Sequence, residues 1–354
     1  MHTEIRRKSY IGLVGNTPMV DLSQFTPSEN INLFAKCEFM NPGFSMKDRM
    51  ASHILDRAEQ TEGLARGDTI VCASSGNTGC SIAMQGNIRG YRVIISTYEK
   101  CSDEKQNHIR GLNAELIVIP ESEDYMEYAT ALAIEKGYFD VDQYNNRNNT
   151  EAYYNTLGPE IWEDTKGHIS YFVMTGSTYG CISGTAKFLK EQNKDIQVIL
   201  VDPQGSNIYD YFYNVYQTGR KDDTSDPITK PSLLEGVGKE KPKDDAFDPI
   251  GKPSLLEGVG KEKPTGCILP EFIDEVIKVS DQEAIGMCHR LAGETSVLVG
   301  GSSGLNVAGA LRVAQMAEPD SVIVTLLCDS GIKYLSKIYN HSYLAEQGIH
   351  LNHG

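Results

Sequence analysis

The sequence contains no C-x-x-C pair, no run of basic residues and no apolar stretch long enough to cross a bilayer, and each absence closes a class of function. Its eight cysteines, at positions 37, 72, 80, 101, 181, 267, 288 and 328, lie mostly within apolar segments. They are expected to be reduced core thiols rather than a disulfide framework or a zinc site. The eight histidines are dispersed, with only His350 and His353 near ligand spacing, so no metal site is expected. The balance of 33 Lys+Arg against 48 Asp+Glu gives a formal charge of −15, a surface that repels phosphate backbones and argues against nucleic-acid binding. Hydrophobic residues are 40 % of the chain but are scattered among charges, so no membrane partner is expected. The segment Met1 to Lys8 has no apolar core of the secretory type, and a cytoplasmic location is the expectation.

What is present is alternation. Apolar, β-branched runs at Leu33 to Phe39, Thr69 to Cys72, Tyr91 to Ile95, Ala114 to Ile119, Ile169 to Met174, Ile196 to Val201 and Ser321 to Leu327 predict strands buried on both faces. Between them, Met50 to Glu62, Asp124 to Lys136, Gly180 to Gln192 and Gln282 to Ala292 carry apolar residues near i, i+3, i+4 and predict helices. This order predicts an α/β, doubly wound protein, and 354 residues suffice for two compact lobes. Ligands in such sheets sit at the carboxyl ends of strands. Three turns fall there: Ser74 to Gly79, Thr175 to Gly180 and Cys328 to Gly331.

One lysine stands beside them. Asn41-Pro42-Gly43-Phe44-Ser45-Met46-Lys47-Asp48-Arg49 hangs Lys47 on a Pro-Gly turn where an amphipathic helix begins. The turn Ser75-Gly76-Asn77-Thr78-Gly79 closes a strand and opens a second helix, offering backbone N–H groups to an anion. A Schiff-base lysine beside an anion cradle points to amino-acid chemistry on pyridoxal phosphate. Such chemistry needs one amine and two anion pockets. Lys47 supplies the amine, and burial would lower its pKa. Ser74, Ser75 and Thr78 suit a carboxylate, while Ser177, Thr178 and their neighbours suit the bulkier phosphate. Ser330 in the third turn could be a helix cap, or could face the pyridine nitrogen, where a hydroxyl favours expulsion of a β-substituent over a long-lived carbanion.

The chain resembles the cysteine synthase and cystathionine β-synthase family of fold-type II pyridoxal-phosphate enzymes, over nearly its whole length. The carrying residues are Gly15-Asn16-Thr17-Pro18, Lys36-Cys37-Glu38 through Arg49, Ser75 to Gly79, Asp142-Gln143-Tyr144, Val201-Asp202-Pro203, the E-G-V-G segments, Gly300-Gly301-Ser302-Ser303-Gly304 and Asp329-Ser330. The resemblance implies a tryptophan synthase β-like fold with the active site between a smaller lobe, residues 48–150, and a larger one, residues 1–47 plus 151–340, followed by a polar tail, 341–354. It implies that Lys47 binds pyridoxal 5′-phosphate covalently, that Asn77 touches the cofactor 3′-oxygen and that Ser330 meets the pyridine nitrogen. Ser74, Ser75, Asn77, Thr78 and Gln143 would hold the amino-acid substrate. The phosphate loop aligns with Ser177-Thr178-Tyr179-Gly180-Cys181, where Ser177 and Tyr179 replace glycines and Cys181 replaces a threonine. Phe44 replaces a glycine and either narrows the substrate entrance or fills space.

The implied reaction is β-replacement or β-elimination on serine, cysteine or an O-activated serine through an aminoacrylate, with a nucleophilic co-substrate and a homodimeric enzyme. Met46 and Ser177-Thr178 also resemble relatives that join glutamate to O-phosphoserine on the way to diaminopropionate; a non-catalytic binding or scaffold protein is a third reading. The chain lacks an extended haem-binding N-terminus and a C-terminal pair of regulatory domains, so control by haem or adenosylmethionine is not expected. Residues 221–242 and 243–264 are tandem copies of one 22-residue unit that differ at three positions. Their Pro, Gly and charge content predicts an exposed loop, either a tolerated duplication or a lid or partner-docking segment. Either Glu235-Gly236-Val237-Gly238 or Glu257-Gly258-Val259-Gly260 could face the site.

Overall fold

The computed structural model describes residues 9–99, 101–212 and 254–351. The first repeat copy therefore lies outside the described residues, as does the second as far as residue 253. Six strands, β1 (Met19–Asp21), β2 (Asn32–Cys37), β7 (Tyr171–Thr175), β8 (Gln197–Pro203), β9 (Glu275–Val279) and β10 (Val322–Leu327), form one sheet in the order β1-β2-β10-β7-β8-β9. A second sheet, ordered β5-β4-β3-β6, contains β3 (Thr69–Ala73), β4 (Arg92–Tyr98), β5 (Glu115–Ile119) and β6 (Phe139–Asp140). Every pairing is parallel except the antiparallel β1–β2 edge.

Successive strand residues point to opposite faces, and both faces are covered. Phe172, Met174, Val198 and Leu200 meet Met50 and Ile54 of α1 (Lys47–Thr61), Tyr153 of α5 (Asn148–Asn155) and Leu189 of α7 (Gly180–Gln192). Their neighbours Val173, Ile199 and Val201 turn the other way, into a cluster with Ile285 of α8 (Asp281–Thr295) and Leu305 of α9 (Gly301–Ala314). The smaller sheet repeats the scheme: Ile70, Cys72, Val93 and Ile95 join the first cluster, while Val71 and Ile94 pack on Ala129 and Ala133 of α4 (Tyr125–Lys136). One apolar cluster thus includes residues of both sheets. All eight cysteines are buried and unpaired. Among the described residues, no helix is long and apolar enough to cross a membrane.

The structure departs from the sequence reading in several places. Strand β2 ends at Cys37, and Glu38–Met40 form a 3-10 turn, because the Glu38 carboxylate is drawn inward by Arg49. The short strands β1 and β6, strand β9 and helices α5 and α6 (Leu157–Asp164) were not legible from periodicity. The residues after 340 are not simply a polar tail. Asn340 caps the helix His341–Glu346 by accepting from the Ser342 and Tyr343 N–H groups, and Leu344 and Ile349 are buried against the second cluster.

Candidate active site

Lys47 is the first residue of α1, and the chain before it is pinned from several sides. Asp48 accepts from Gly43 N–H at 2.5 Å and from Ser81 Oγ at 2.5 Å, which folds the Pro42-Gly43 turn back on the helix. Met46 N–H donates to Cys328 C=O at 2.9 Å, Ser330 N–H to Phe44 C=O at 3.2 Å, and Tyr153 OH to Met46 C=O at 3.1 Å. Lys47 is thereby held at the end of β10, facing a cleft. Burial lowers the pKa of its amine, partly opposed by Cys181, Cys328 and Asp329. Among the described residues its Nζ makes no hydrogen bond or ion pair, so an uncommitted amine sits on the cleft wall.

The other walls come from the three turns. Helix α2 begins at Asn77 (Asn77–Arg89), so Asn77, Thr78 and Gly79 form its first turn rather than preceding it. Ser74 Oγ accepts from Gly76 N–H at 3.2 Å and Gly79 N–H at 2.9 Å, which shapes this turn and leaves its own proton to donate. Ser74, Ser75, Gly76, Asn77 and Thr78 all line the cleft. Thr78 Oγ1 donates to Gln143 Oε1 at 2.6 Å, while Gln143 Nε2 donates to Ala73 C=O at 2.8 Å, so the strand ends fix the amide beside the turn.

Across the cleft lie Thr175, Gly176, Ser177 and Thr178, between β7 and the N-terminus of α7. Tyr179 holds a left-handed conformation at φ +61°, with its ring packed beneath Gly176, where a Cβ would meet it at 2.4 Å. The side chains of Tyr179 and Cys181 are buried and do not line the cleft, and Gly180 faces Asn149. Of the aligned loop 177–181, Ser177 and Thr178 line the cleft, with Thr178 Oγ1 accepting from Asn149 Nδ2 at 3.0 Å, while Gly180 and Cys181 offer helix-end N–H groups. Thr175 Oγ1 is buried without a partner among the described residues.

The third turn divides. Cys328 and Tyr334 line the Lys47 cleft, whereas Ser330 lines an adjoining recess with Phe44, Asn77, Lys105 and Lys333, its Oγ accepting from Ile332 N–H at 3.4 Å. Phe44, at φ +61° and 53 % exposed, likewise stands in that recess rather than beside Lys47. Asp329 lies behind both, with Oδ2 accepting from Asn77 Nδ2 at 2.6 Å and Tyr334 OH at 2.5 Å. Lys333 Nζ donates to Asn77 Oδ1 at 2.8 Å, so the Asn77 amide is oriented from both ends. Gly300 makes room for Asp329, since a Cβ there would fall 2.0 Å from Asp329 Oδ1. Gly300→Ala is expected to push this carboxylate off Asn77 and Tyr334 and to cost about 1–3 kcal/mol of overpacking, read from the shift of the urea unfolding midpoint.

Sequence reasoning missed Lys105 and Tyr334, which join the cleft through tertiary contacts with no local motif, and quoted Tyr144 and Ser302 within motifs without giving either a place in the site. It left open which E-G-V-G copy approaches. Glu257, Gly258 and Val259 line the cleft, and Gly260 N–H donates to Gly176 C=O at 2.8 Å. The second copy thus closes the site.

An uncommitted amine facing a hydroxyl-rich helix start fits a cofactor that carries an aldehyde and a phosphate. A family model described as pyridoxal-phosphate dependent enzyme matches residues 11–329. The chain belongs to the pyridoxal-phosphate dependent enzymes. It is 33 % identical over 350 residues to a cysteine synthase of Dictyostelium discoideum, covering 97 % of this chain and 86 % of that one. It is 32 % identical over 335 residues to the O-acetylserine dependent cystathionine beta-synthase of Bacillus subtilis, covering 92 % and 95 %. The crystal structure of O-ureido-L-serine synthase superposes with a TM-score of 0.80 at 27 % identity, covering 95 % of this chain and 96 % of that one. Within the family, this is a pyridoxal-phosphate enzyme of the cysteine synthase and cystathionine β-synthase type, with the fold-type II architecture.

Proposed function

We propose that this enzyme performs β-replacement on serine or an O-activated serine, exchanging the substituent at Cβ for a small nucleophile. The observation that carries the reading is the position of Lys47, whose amine has a lowered pKa and faces the Ser74 to Thr78 turn across one cleft. O-acetylserine in the name of one relative supports an O-activated donor, and a solved structure named as a synthase of O-ureido-L-serine supports a product substituted at Cβ of serine.

In this reading Lys47 Nζ holds the cofactor aldehyde, while Thr175, Gly176, Ser177, Thr178 and the N–H groups opening α7 receive the phosphate. Asn77, which lines the Lys47 cleft, would face the ring oxygen, while Ser330, in the adjoining recess, is carried to the ring nitrogen by the family resemblance alone. Ser74, Ser75, Thr78 and Gln143, with the positive end of α2, receive the substrate α-carboxylate. When bound, the cofactor would supply an electron sink for Cα, the chemistry on which loss of a β-substituent depends. Lys47 Nζ, on the cleft wall, would be the group placed to take the proton from Cα, and burial favours its neutral form. The pinned Asn41–Met46 loop keeps Nζ at one place through both tasks.

The test offers L-serine, L-cysteine, O-acetylserine and O-phosphoserine separately to purified holoenzyme and follows the visible absorption of the lysine-bound cofactor. At least one donor should shift that band, and sulfide, homocysteine or an amine should then restore it with a product identifiable by mass. Four donors that all leave the band unmoved would overturn β-replacement.

A further inference from the structure

The mouth of the cleft carries more positive charge than the proposed roles use. Lys105, in helix α3 (Asp103–Gly111), is 7 % exposed, yet its ammonium lies beside the carboxylate turn, 3.8 Å from where a Cβ of Gly76 would stand. It stacks 5.0 Å over the Tyr334 ring and pairs with the Glu257 carboxylate. Lys337 pairs with the same carboxylate from the opposite side. A third ammonium, Lys333, is held by neutral acceptors, Gly43 C=O at 2.9 Å and Asn77 Oδ1 at 2.8 Å. Asp329 is committed to Asn77 and Tyr334 and also lies in the field of Lys105, and Glu104 is drawn toward Ser336 and Lys337. Two of these cations, Lys105 and Lys337, therefore share one carboxylate, and that carboxylate belongs to the loop lining the site.

We infer that Lys105 and Lys337 form a second anion subsite, occupied in this structure by the Glu257 carboxylate, which receives a phosphate or carboxylate that a substrate carries in addition to its α-carboxylate. Glu257 is a stand-in for that group. Its segment contains two glycines in left-handed conformations, Gly258 at φ +75° and Gly260 at φ +66°, so the loop reaches the lysines by a backbone path other residues disfavour. An incoming anion takes the place of Glu257 on the two ammonium groups, and a substrate without one leaves the internal pair intact. Selection then follows from charge pairing in a partly desolvated site. The anion has two chemical sources: the phosphate of an O-phosphorylated donor, or the side-chain carboxylate of an amino-acid nucleophile. The inference rests on the β-replacement reading above.

Calorimetry with inorganic phosphate on the holoenzyme tests the subsite without turnover. Phosphate should bind at least about fivefold more tightly to Glu257→Gln, which removes the internal competitor, and about fivefold more weakly to Lys105→Met and Lys337→Met. Equal affinity in all four proteins overturns the inference. Should Lys105→Met fail to fold, Glu257→Gln and Lys337→Met decide the outcome. For the donor source, kcat/KM for O-phosphoserine relative to O-acetylserine should fall at least about tenfold in Lys105→Met and rise in Glu257→Gln. For the nucleophile source, that ratio stays flat while the preference for L-glutamate over L-glutamine moves in the same two directions. Equal weakening of L-serine and O-phosphoserine binding by Lys105→Met would assign Lys105 to the α-carboxylate and overturn a second subsite. If no donor displaces Lys47, the functional reading fails, and the phosphate measurement still judges the subsite.

Discussion

Lys47→Ala is expected to lose turnover by at least about 10³-fold and to remove the visible band of lysine-bound cofactor, while the protein remains folded. Two losses add here: covalent attachment and the proton acceptor beside Cα, the latter alone giving roughly 10²–10⁴-fold. Stability should move the other way. Lys47 places a cation at the N-terminus of α1, where the helix dipole disfavours positive charge, and burial already lowers the pKa of its amine. Removing it should leave the denaturation midpoint unchanged or raise stability by about 0.3–1 kcal/mol. Absorption spectroscopy, single-turnover assays and urea titration on one preparation separate these effects. An alanine variant that keeps the band, or that loses activity only in proportion to folded protein, would move the covalent centre elsewhere.

Lys47 was legible because its signal is local: a Pro-Gly turn, a helix start and two small-residue turns at strand ends. The same holds for the paired sheets, since strands such as β8 are buried on both faces and read as unbroken apolar runs. What stayed hidden depends on distant partners. Helix α5 reads NNTEAYYN, a polar string of weak helix formers; Tyr153 is buried in the core, and α5 lies so close to α7 that a Cβ on Gly184 would fall 2.1 Å from Thr150 C=O. Tertiary packing overrides propensity there. Lys105 lies more than 150 residues from Glu257 and looked like one charge among many on a polar helix, because nothing within α3 announces its ion pair. The tandem repeat made two E-G-V-G segments equivalent on paper, and among the described residues the second copy reaches Gly176.

Arg49→Met should be the most destabilising of the single substitutions considered. Arg49 lies on α1 two residues beyond Lys47, with a fully buried side chain. Its guanidinium grips Glu38 with Nε and Nη2, both at 2.7 Å, and Glu160 with Nη1 at 2.6 Å and Nη2 at 2.8 Å. Glu38 also receives Thr17 Oγ1 at 2.7 Å and Asn41 Nδ2 at 2.9 Å, so the network reaches the loop that carries Lys47. Methionine fills much of the volume but leaves the buried Glu38 carboxylate without its cation, a change that costs about 3–5 kcal/mol in other buried pairs. The pH dependence gives an independent check. Arg49, with Lys36 nearby, overcomes the desolvation of Glu160 and holds its carboxyl at about 2, below the ordinary 4.5. A depressed carboxyl contributes stability that is complete above its unfolded pKa and disappears as pH falls through its folded one. The wild-type advantage should therefore be full above about pH 5 and shrink between about pH 4.5 and 2, where protonation relieves the unpaired carboxylates of the variant. Pairing Arg49→Met with Glu38→Leu should recover part of the loss, because no buried charge is then stranded at position 38. A stability gap that stays constant from pH 7 to pH 3, with no recovery in the double variant, would mean that Arg49 acts through packing and not through its charge.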